Sequence, residues 1–595
     1  MLTTKKSVPV VLIVVVISLF AAMAPAAQDV FESVPSDAIF AVRINNYQGT
    51  LGWLDQFLAG IAPTLNTSAM MTRMQLANML GDPNLTNVNL NGQMAIFGSA
   101  IQKGPNVAPD MFVGFLIPVA DYDKFISSNV TATKPDSNGI STIGRMKMLV
   151  MRAGDYAIVA PQNRYAAIGT TLKAAKAKSL SSVLGPADQE AAAVGKIWAY
   201  GNIEQVMKLY GSTIFAQMEN AKKIGMAKDP NMAAAADIMT IYFDVAKSLM
   251  TETKTIMLAL NPKPDVLGLT CTFTAVPGTE LAGALIADSV DKGSNPLLCY
   301  LPENAVMNAS ALLNKPSMIN MYEKSVDIFA NLLGPKFTPD KKTKIINLIK
   351  SSINSLGNAF VFSLLIDPDS KSMFNAMYVF EVADNNAFQK SIDTAIEMMN
   401  EPYMDDLMKK FGAKFSYDIK RSAEKYKGVP IDVINAAITP VDPNSQMGKM
   451  IIKMYGKSLV AKLAMVNGLE LYTIGANADA GIKSLIDKVK SAEHNAVNPE
   501  IKNALALIPG SEKAQFFLTY NYLRLMQMGA DFMPAMPFDA NALRQIVSKS
   551  NIAVTVDIGN GAVTLNLAVP KQHVLEIKSA FKMLAPVPAV KPQQK

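Results

Sequence analysis

Histidine, the side chain that most often binds zinc or transfers protons near neutral pH, is scarce in this chain. The 595 residues include two histidines, His494 in a polar loop and His573 just after the last predicted strand. A zinc site normally takes two or three imidazoles that lie together, and two histidines this far apart in sequence do not predict one. The chain also contains no G-x-S-x-G, GxxxxGKS/T or GxGxxG motif, so nucleophilic-serine and nucleotide-dependent enzymes are not predicted.

Carboxylate catalysis is harder to exclude, because paired acids are recognised by geometry rather than by spacing. Glu401, Asp405 and Asp406 form a cluster, which the favourable interaction of negative charge with a helix N-terminus explains without catalysis. The acids of residues 367–369 and 121–123 do not continue into a calcium-binding loop, and we predict a turn and a helix start there. The sequence therefore assigns no catalytic, cofactor-binding or metal-binding residue.

Methionine is unusually frequent, with 36 copies. Many of them cluster in three short segments: Met70, Met71, Met74 and Met79; Met447, Met450 and Met454; Met526, Met528, Met533 and Met536. Three interpretations stay open: adaptable core filling, which we expect, a deformable groove for a lipid or peptide, and Cu(I) binding. The last fits the Pro-broken 533–536 segment alone among these clusters.

The chain has two cysteines, Cys271 and Cys299. Cys271 alternates with Leu267, Leu269 and Phe273 along one predicted strand face, which indicates a buried apolar role. A disulfide between the two cysteines stays open for an exported protein, because pairing geometry cannot be read from sequence.

Residues 1–26 have the three parts of an export signal. Lys5 and Lys6 precede an apolar run over 8–23, and the small residues 24–26 form a cleavage site. We predict a signal peptide and a periplasmic or envelope-associated protein; an uncleaved N-terminal membrane anchor is the alternative. No later apolar run approaches the length of a membrane span, so no transmembrane segment is predicted after cleavage.

The composition is that of a folded protein, with 50% hydrophobic and 18% charged residues. A net charge of +7 on so long a chain is too dilute to predict a nucleic-acid partner. Residues 341–353 form a basic amphipathic segment, which we interpret as a surface helix that packs its isoleucines inward. Attachment to an anionic membrane surface is the alternative.

Two parts of the chain share an order of elements. A strand at 39–44, a helix at 50–61 with Thr50 as its N-cap, and a hairpin of 93–100 with 111–118 open the first part. Further strands within 140–159, a basic helix at 170–178 and a closing hairpin of 255–260 with 266–276 follow.

The second part begins at 300–333, which resembles 34–61. Val-Ala-Asp precedes a helix at 119–121 and again at 382–384, and the last hairpin turns at Asn560-Gly561, a type I′ signal. We predict an α+β fold of two diverged repeats, each with antiparallel hairpins and packed amphipathic helices. The expected domains are residues 27–294 and 295–584, followed by a disordered tail at 585–595.

The opening phrase carries a distinctive set of residues: Pro35, Asp37, Ala38, Arg43, Ile44, Asn46, Gln56, Phe57 and Leu58. In these positions the chain resembles a group of exported bacterial envelope proteins that carry a domain of unknown function. The likeness covers mainly residues 30–170, and in the second half Ser310 stands at about the place of Arg43. This resemblance implies export and an envelope location, and it implies no catalytic residue.

These observations favour a non-enzymatic exported protein that binds or scaffolds an unknown protein or lipid partner in the envelope. A carrier that holds an apolar ligand, a lipid or a lipidated peptide, in a Met-lined groove is the alternative. A carboxylate-dependent polysaccharide hydrolase is the third hypothesis. An apolar cavity would favour the carrier, whereas two carboxylates in an open cleft would favour the hydrolase.

Overall fold

The computed structural model describes residues 29–62, 68–101, 109–185, 188–189, 191–192, 195–228, 236–285, 293–333, 337–365, 375–410, 412–456, 458–491, 496–529 and 540–584. Antiparallel strands and helices make up these segments, which confirms the predicted α+β class. The described residues form two compact units. The first unit contains those up to residue 49 and those between 70 and 194, and the second contains 50–69 and those from 195 onward.

The first unit contains six antiparallel strands that pair in the order β1-β2-β3-β6-β5-β4. Their bounds are β1 (Phe40–Ile44), β2 (Met94–Ile101), β3 (Asp110–Pro118), β4 (Ser141–Ile143), β5 (Met148–Ala153) and β6 (Tyr156–Ala160). The helices of this part of the chain are α1 (Tyr47–Leu58), α2 (Ser68–Leu80), α3 (Tyr122–Ser127) and α4 (Tyr165–Ala177). The β2–β3 pair confirms the predicted first hairpin.

The second unit contains one continuous antiparallel sheet in the order β7-β8-β9-β19-β18-β17-β10-β11-β12-β16-β15-β14-β13. The strand bounds are β7 (Ile197–Asn202), β8 (Thr253–Pro262), β9 (Val266–Ala275), β10 (Met307–Leu312), β11 (Leu356–Leu365), β12 (Asn375–Val382), β13 (Ala413–Tyr426), β14 (Val429–Pro440), β15 (Ser458–Val466), β16 (Leu469–Gly475), β17 (Phe516–Tyr520), β18 (Ile552–Gly559) and β19 (Ala562–Pro570).

Helices connect these strands along the chain. Their bounds are α5 (Ile203–Lys228), α6 (Ala236–Glu252), α7 (Glu280–Ala284), α8 (Lys315–Leu333), α9 (Pro339–Ser355), α10 (Asn385–Met399), α11 (Pro402–Lys410), α12 (Gln446–Tyr455), α13 (Ala478–Lys490), α14 (Pro499–Leu505), α15 (Tyr522–Gly529), α16 (Ala540–Arg544) and α17 (Lys571–Leu584). Among the described residues, no helix combines the length and the apolarity that crossing a membrane requires.

The strand order of the first unit recurs within the second. The strand order β1-β2-β3-β6-β5-β4 of the first unit corresponds to the order β10-β11-β12-β16-β15-β14 in the second. Strand β13 is an additional edge strand. The same N-cap follows the third strand each time: Asp121 accepts a hydrogen bond from the amide of Lys124, and Asp384 accepts one from the amide of Ala387. The domain boundary at residues 294–295 stays a prediction.

One face of the large sheet forms the core of the second unit. Leu471, Val379, Val361 and Phe517 lie on this face of four strands, and all are fully or almost fully buried. Helix α13 covers them because its apolar residues recur at helical spacing, as at Ile482, Leu485, Ile486 and Val489.

The opposite face of the same sheet is apolar but only partly covered. Cys271 lies on this face and is half-buried, while its neighbour Phe273 is exposed. The predicted burial of this strand face is met only in part, since Leu267, Leu269 and Cys271 are half-buried and Phe273 is exposed. Cys271 and Cys299 are both free thiols.

Two helix boundaries differ from the sequence prediction. Helix α1 begins at Tyr47, so Thr50 is a buried residue inside the helix rather than its N-cap. The side chain of Asn46 instead accepts a hydrogen bond from the amide of Gly49. Helix α4 begins at Tyr165, ahead of the predicted 170–178, because Ile168 and Leu172 extend its buried stripe toward the N-terminus.

Core filling accounts for some of the clustered methionines and not for others: Met526 is buried in a cluster with Leu523 and Leu543. Met70, Met71 and Met74 of α2 and Met447 and Met450 of α12 are exposed. Several sequence predictions fall outside the described residues: those for 1–26, 367–369, 533–536 and 585–595, and that for His494.

The last hairpin and the amphipathic α9 helix agree with the sequence. Asn560 and Gly561 both have positive φ values of 54° and 73°, as a type I′ turn requires. Helix α9 packs beside α10, and its Ile353 is buried. The helix leaves Ile345, Ile346 and Ile349 half-buried, which agrees with the surface-helix interpretation of residues 341–353.

The unequal faces of the sheet predict unequal costs of truncation. Leu471→Ala leaves a cavity in the closed core and should lower the free energy of unfolding by about 2–5 kcal/mol. Leu258→Ala, on the opposite face at 41% exposure, should cost about 1 kcal/mol. Urea unfolding of both variants tests this, and equal losses would contradict the assignment of the faces.

Candidate functional site

A pocket of about 340 Å³ lies on the partly covered face of the sheet, beneath helix α10. Strands β12, β13, β14, β15 and β16 form its floor. The floor side chains are Tyr378, Phe380, Tyr417, Ile434, Leu463, Glu470 and Tyr472. Apart from this glutamate and the tyrosine hydroxyls, the floor is entirely apolar.

Helix α10 forms the roof of the pocket. Its lining residues, Phe388, Ile392, Ala395, Ile396 and Met399, recur at helical spacing and form one apolar stripe. The Asp384 cap fixes where the helix begins, and so sets which residues face the sheet. The roof is therefore apolar along its whole length.

Aromatic rings from several elements surround the pocket. The ring centroids of Tyr378 and Tyr472 are 5.5 Å apart, and those of Tyr378 and Phe380 are 5.9 Å apart in a stacked arrangement. Phe388 of the roof lies 6.5 Å from Phe380. Tyr417 adds a fourth ring on the floor. Such walls combine a large apolar surface with the negative faces of the rings.

Glu470 is the exceptional residue of the pocket. It lies on β16 directly across from Phe380 of β12, and it is 1% exposed. Neither carboxyl oxygen has a hydrogen-bond partner among the described residues. Burial raises the pKa of this carboxyl to about 8, the charge of Asp432 adds to the shift, and Arg421 opposes it. The side chain is therefore predominantly a neutral acid at pH 7.

The nearby charges already have partners. Arg421 of β13 forms ion pairs with Asp432 of β14 and with Asp393 of α10. Asp432 also accepts a hydrogen bond of 2.7 Å from the amide of Ser422. This network ties the roof helix to the floor strands. Glu470 takes no part in this network and forms no hydrogen bond to the described residues.

The tyrosines of the floor stay protonated over the physiological range. Burial raises the pKa of Tyr472 to about 12 and also raises the pKa values of Tyr378 and Tyr417. Their hydroxyls are therefore neutral hydrogen-bonding groups. The pocket can therefore hold the apolar part of a ligand and form hydrogen bonds to its polar part through the tyrosine hydroxyls. Glu470 can pair with one charge on that ligand.

The acids singled out in the sequence have structural roles elsewhere. Lys409 forms ion pairs with Asp405 at 2.5 Å and with Asp406 at 3.6 Å, and Lys341 lies 4.0 Å from Glu401. These ion pairs support the interpretation of the acidic cluster as structural rather than catalytic. Among the described residues, no group of three or more His, Cys, Asp or Glu side chains is arranged to hold a metal ion.

His573 is fully buried in the first turn of α17. Its Nε2 accepts a hydrogen bond of 3.3 Å from the amide of Tyr522, and its Nδ1 lies 3.9 Å from Glu576. Burial lowers the pKa of this imidazole, since the charged form loses its hydration. The residue therefore joins α15 to α17 as a neutral hydrogen-bonding group.

Sequence reasoning missed Glu470, although the chain carries a signal for it. Glu470, Tyr472 and Ile474 alternate on one face of the strand 469–475. An acid in a row with an aromatic and an aliphatic residue indicates either a solvent-facing strand or a buried acid. The cross-strand partner Phe380 decides between them, and that pairing is not visible in sequence.

Arg43, the most distinctive position of the family resemblance, has a structural role in the first unit. It is 2% exposed, pairs with Asp29 at 2.9 Å and lies 4.5 Å from the centroid of the Phe31 ring. Comparison of the chain with family models, curated proteins and solved structures finds no match. The resemblance to exported envelope proteins stays a prediction.

The raised pKa of Glu470 predicts a pH-dependent stability. Between the ordinary pKa of 4.5 and about 8, the folded protein binds a proton that the unfolded chain has released, so stability falls as the pH rises through this window. Glu470→Gln removes the loss. The variant should gain roughly 4 kcal/mol over the wild type between pH 5 and pH 8.

Urea unfolding at the two pH values measures this difference. Glu397→Gln, an exposed change on α10 that keeps out of the pocket, is the matched control and should show no such gain. If the free energies of unfolding of the wild type and Glu470→Gln differed by the same amount at both pH values, the assignment of Glu470 as a neutral buried acid would be contradicted.

Proposed function

We propose that this protein is an exported, non-enzymatic binding protein of the carrier type. It holds an amphiphilic ligand beneath helix α10, with the polar group of the ligand at Glu470 and the apolar body against the aromatic walls. The observation that carries the proposal is a buried carboxyl without a hydrogen-bond partner inside an otherwise apolar pocket. Burial of such a group costs free energy, which a ligand that pairs with it recovers.

The pocket continues into a long apolar row on the same sheet face. Residues directly opposite one another on neighbouring strands share a face. From Glu470 the row runs across Phe380, Phe360, Ala311, Phe516, Val556, Leu565, Cys271 and Leu258. Within this row Phe360 is half-buried and Ala311 is buried, so the apolar surface continues past Phe380 onto β11. This supports a ligand with an apolar tail.

The aromatic contacts of the pocket also extend in that direction. Phe362 of β11 lies 4.7 Å from Tyr378 between ring centroids, and Phe360 lies 5.8 Å from Phe380. The continuous ring surface favours an acyl, alkyl or aromatic body over a sugar, which needs many polar partners. Met399 is the methionine that lines the pocket, so the aromatic rings, rather than a methionine cluster, supply the surface.

A hydrolase is less well supported by the same geometry. Hydrolysis by paired carboxylates needs one acid and one free carboxylate flanking the substrate bond. The acid coupled to Glu470 is Asp432, and Arg421 and the amide of Ser422 engage it. Binding therefore accounts for the pocket better than hydrolysis. Export rests on the leader at residues 1–26 and is part of the proposal.

Native mass spectrometry of the protein purified gently from its own envelope fraction tests the proposal. We expect extra mass that organic extraction removes. Ala395→Trp places an indole in the pocket and should abolish most of that extra mass, since Ala395 lines the roof.

Lys390→Trp, an exposed change on the same helix, is the matched control and should retain the extra mass. Circular dichroism checks that both variants keep the fold. A mass equal to the bare chain or to clean multiples of it would overturn the carrier and favour a scaffold.

A further inference from the structure

We infer that the ligand of the α10 pocket carries an ammonium group next to its apolar body. This inference rests on the proposed function and adds the charge of the ligand to it. The geometry behind it is a carboxyl with two free oxygens, enclosed by aromatic rings from three strands and one helix. Carboxylate and ring faces are the two kinds of group that bind alkylammonium ions in proteins.

The charge balance of the pocket points to a cationic ligand. Among the described residues that line the pocket, one is acidic and none is lysine or arginine. Arg421 lies close enough to influence Glu470, but it already pairs with Asp393 and Asp432. A ligand cation would therefore meet a carboxylate for which the protein provides no cation of its own.

The aromatic walls add to the same preference. Tyr378, Phe380, Tyr417 and Tyr472 rise from the floor, and Phe388 descends from the roof. The ring quadrupole attracts a cation that sits over the ring face, most strongly where water is excluded. A fatty-acid carboxylate would be bound less well, because the ring faces and the acid would repel it and the described lining residues include no lysine or arginine.

Binding of an ammonium ion must ionise Glu470. The titratable groups around it are Tyr378 on β12, Tyr417 and Arg421 on β13, Asp432 on β14 and Tyr472 on β16. Helix α10 adds Asp393, which pairs with Arg421, and the lining residue of β15, Leu463, does not titrate. The tyrosine pKa values are raised away from neutrality. Glu470 is thus the group that releases a proton when the cation binds at pH 7.

A set of amphiphiles with the same alkyl chain tests the charge. Decyltrimethylammonium, decanol and decanoate are titrated calorimetrically into the protein after organic extraction, each below its micelle-forming concentration. The quaternary ammonium cannot itself titrate, so its pH dependence reports the protein. Its affinity should rise about tenfold per pH unit up to about pH 8, and it should exceed that of decanoate at least tenfold.

Proton release gives a second, independent readout. Titration at pH 7 in buffers of different ionisation enthalpy should show close to one proton released per decyltrimethylammonium bound and none for decanol. Glu470→Gln should abolish the release and the pH dependence, and should lower the ammonium affinity at pH 8.5 at least tenfold. Decanol binding should change less than threefold, and Glu397→Gln should behave as the wild type in every titration.

The outcomes separate the two proposals. Equal binding of decanol and decyltrimethylammonium, without proton release, would overturn the ammonium inference and leave the carrier in place. Tighter binding of decanoate would overturn the inference in the same way. Failure of all three amphiphiles to bind would overturn the carrier itself.

Discussion

The α10 pocket is governed by the free-energy cost of placing a carboxyl group in apolar surroundings. An ionised carboxylate without a partner is costly to bury, so the pKa of Glu470 is raised to about 8 and the group is mostly neutral at pH 7. The neutral state makes burial tolerable but does not provide a hydrogen-bond partner. Under the proposed function, a ligand cation with an apolar body would supply the partner that Glu470 lacks.

The alternation of the β-strand makes such a site possible. Leu471 points into the closed core, while Glu470 on its other side points into the pocket. The core face anchors the sheet through α13, so the opposite face does not need dense packing for stability. Helix α10, tied to β13 and β14 through Asp393, Arg421 and Asp432, then covers one part of that face and forms an open-sided pocket.

Much of the fold could be predicted from local patterns, because those patterns encode local geometry. The Asn560-Gly561 turn, the Asp121 and Asp384 caps and the first hairpin follow from residues adjacent in sequence. The pocket could not be predicted in this way. Glu470 acquires its surroundings from Phe380 on β12 and from Ile392 on α10, which are distant in the chain. The same limit explains Cys271: alternation identified its strand face, but the fold decides which face is buried.

The protonation state of Glu470 can be measured directly from its carboxyl vibrations. Infrared spectra of the wild type and of Glu470→Gln, recorded at pH 6.5 and pH 9.5 and subtracted, isolate the one carboxyl group. We expect the carbonyl stretch of a protonated acid at pH 6.5 and carboxylate bands in its place at pH 9.5, because the pKa of Glu470 is raised to about 8. Carboxylate bands already present at pH 6.5 would contradict this expectation.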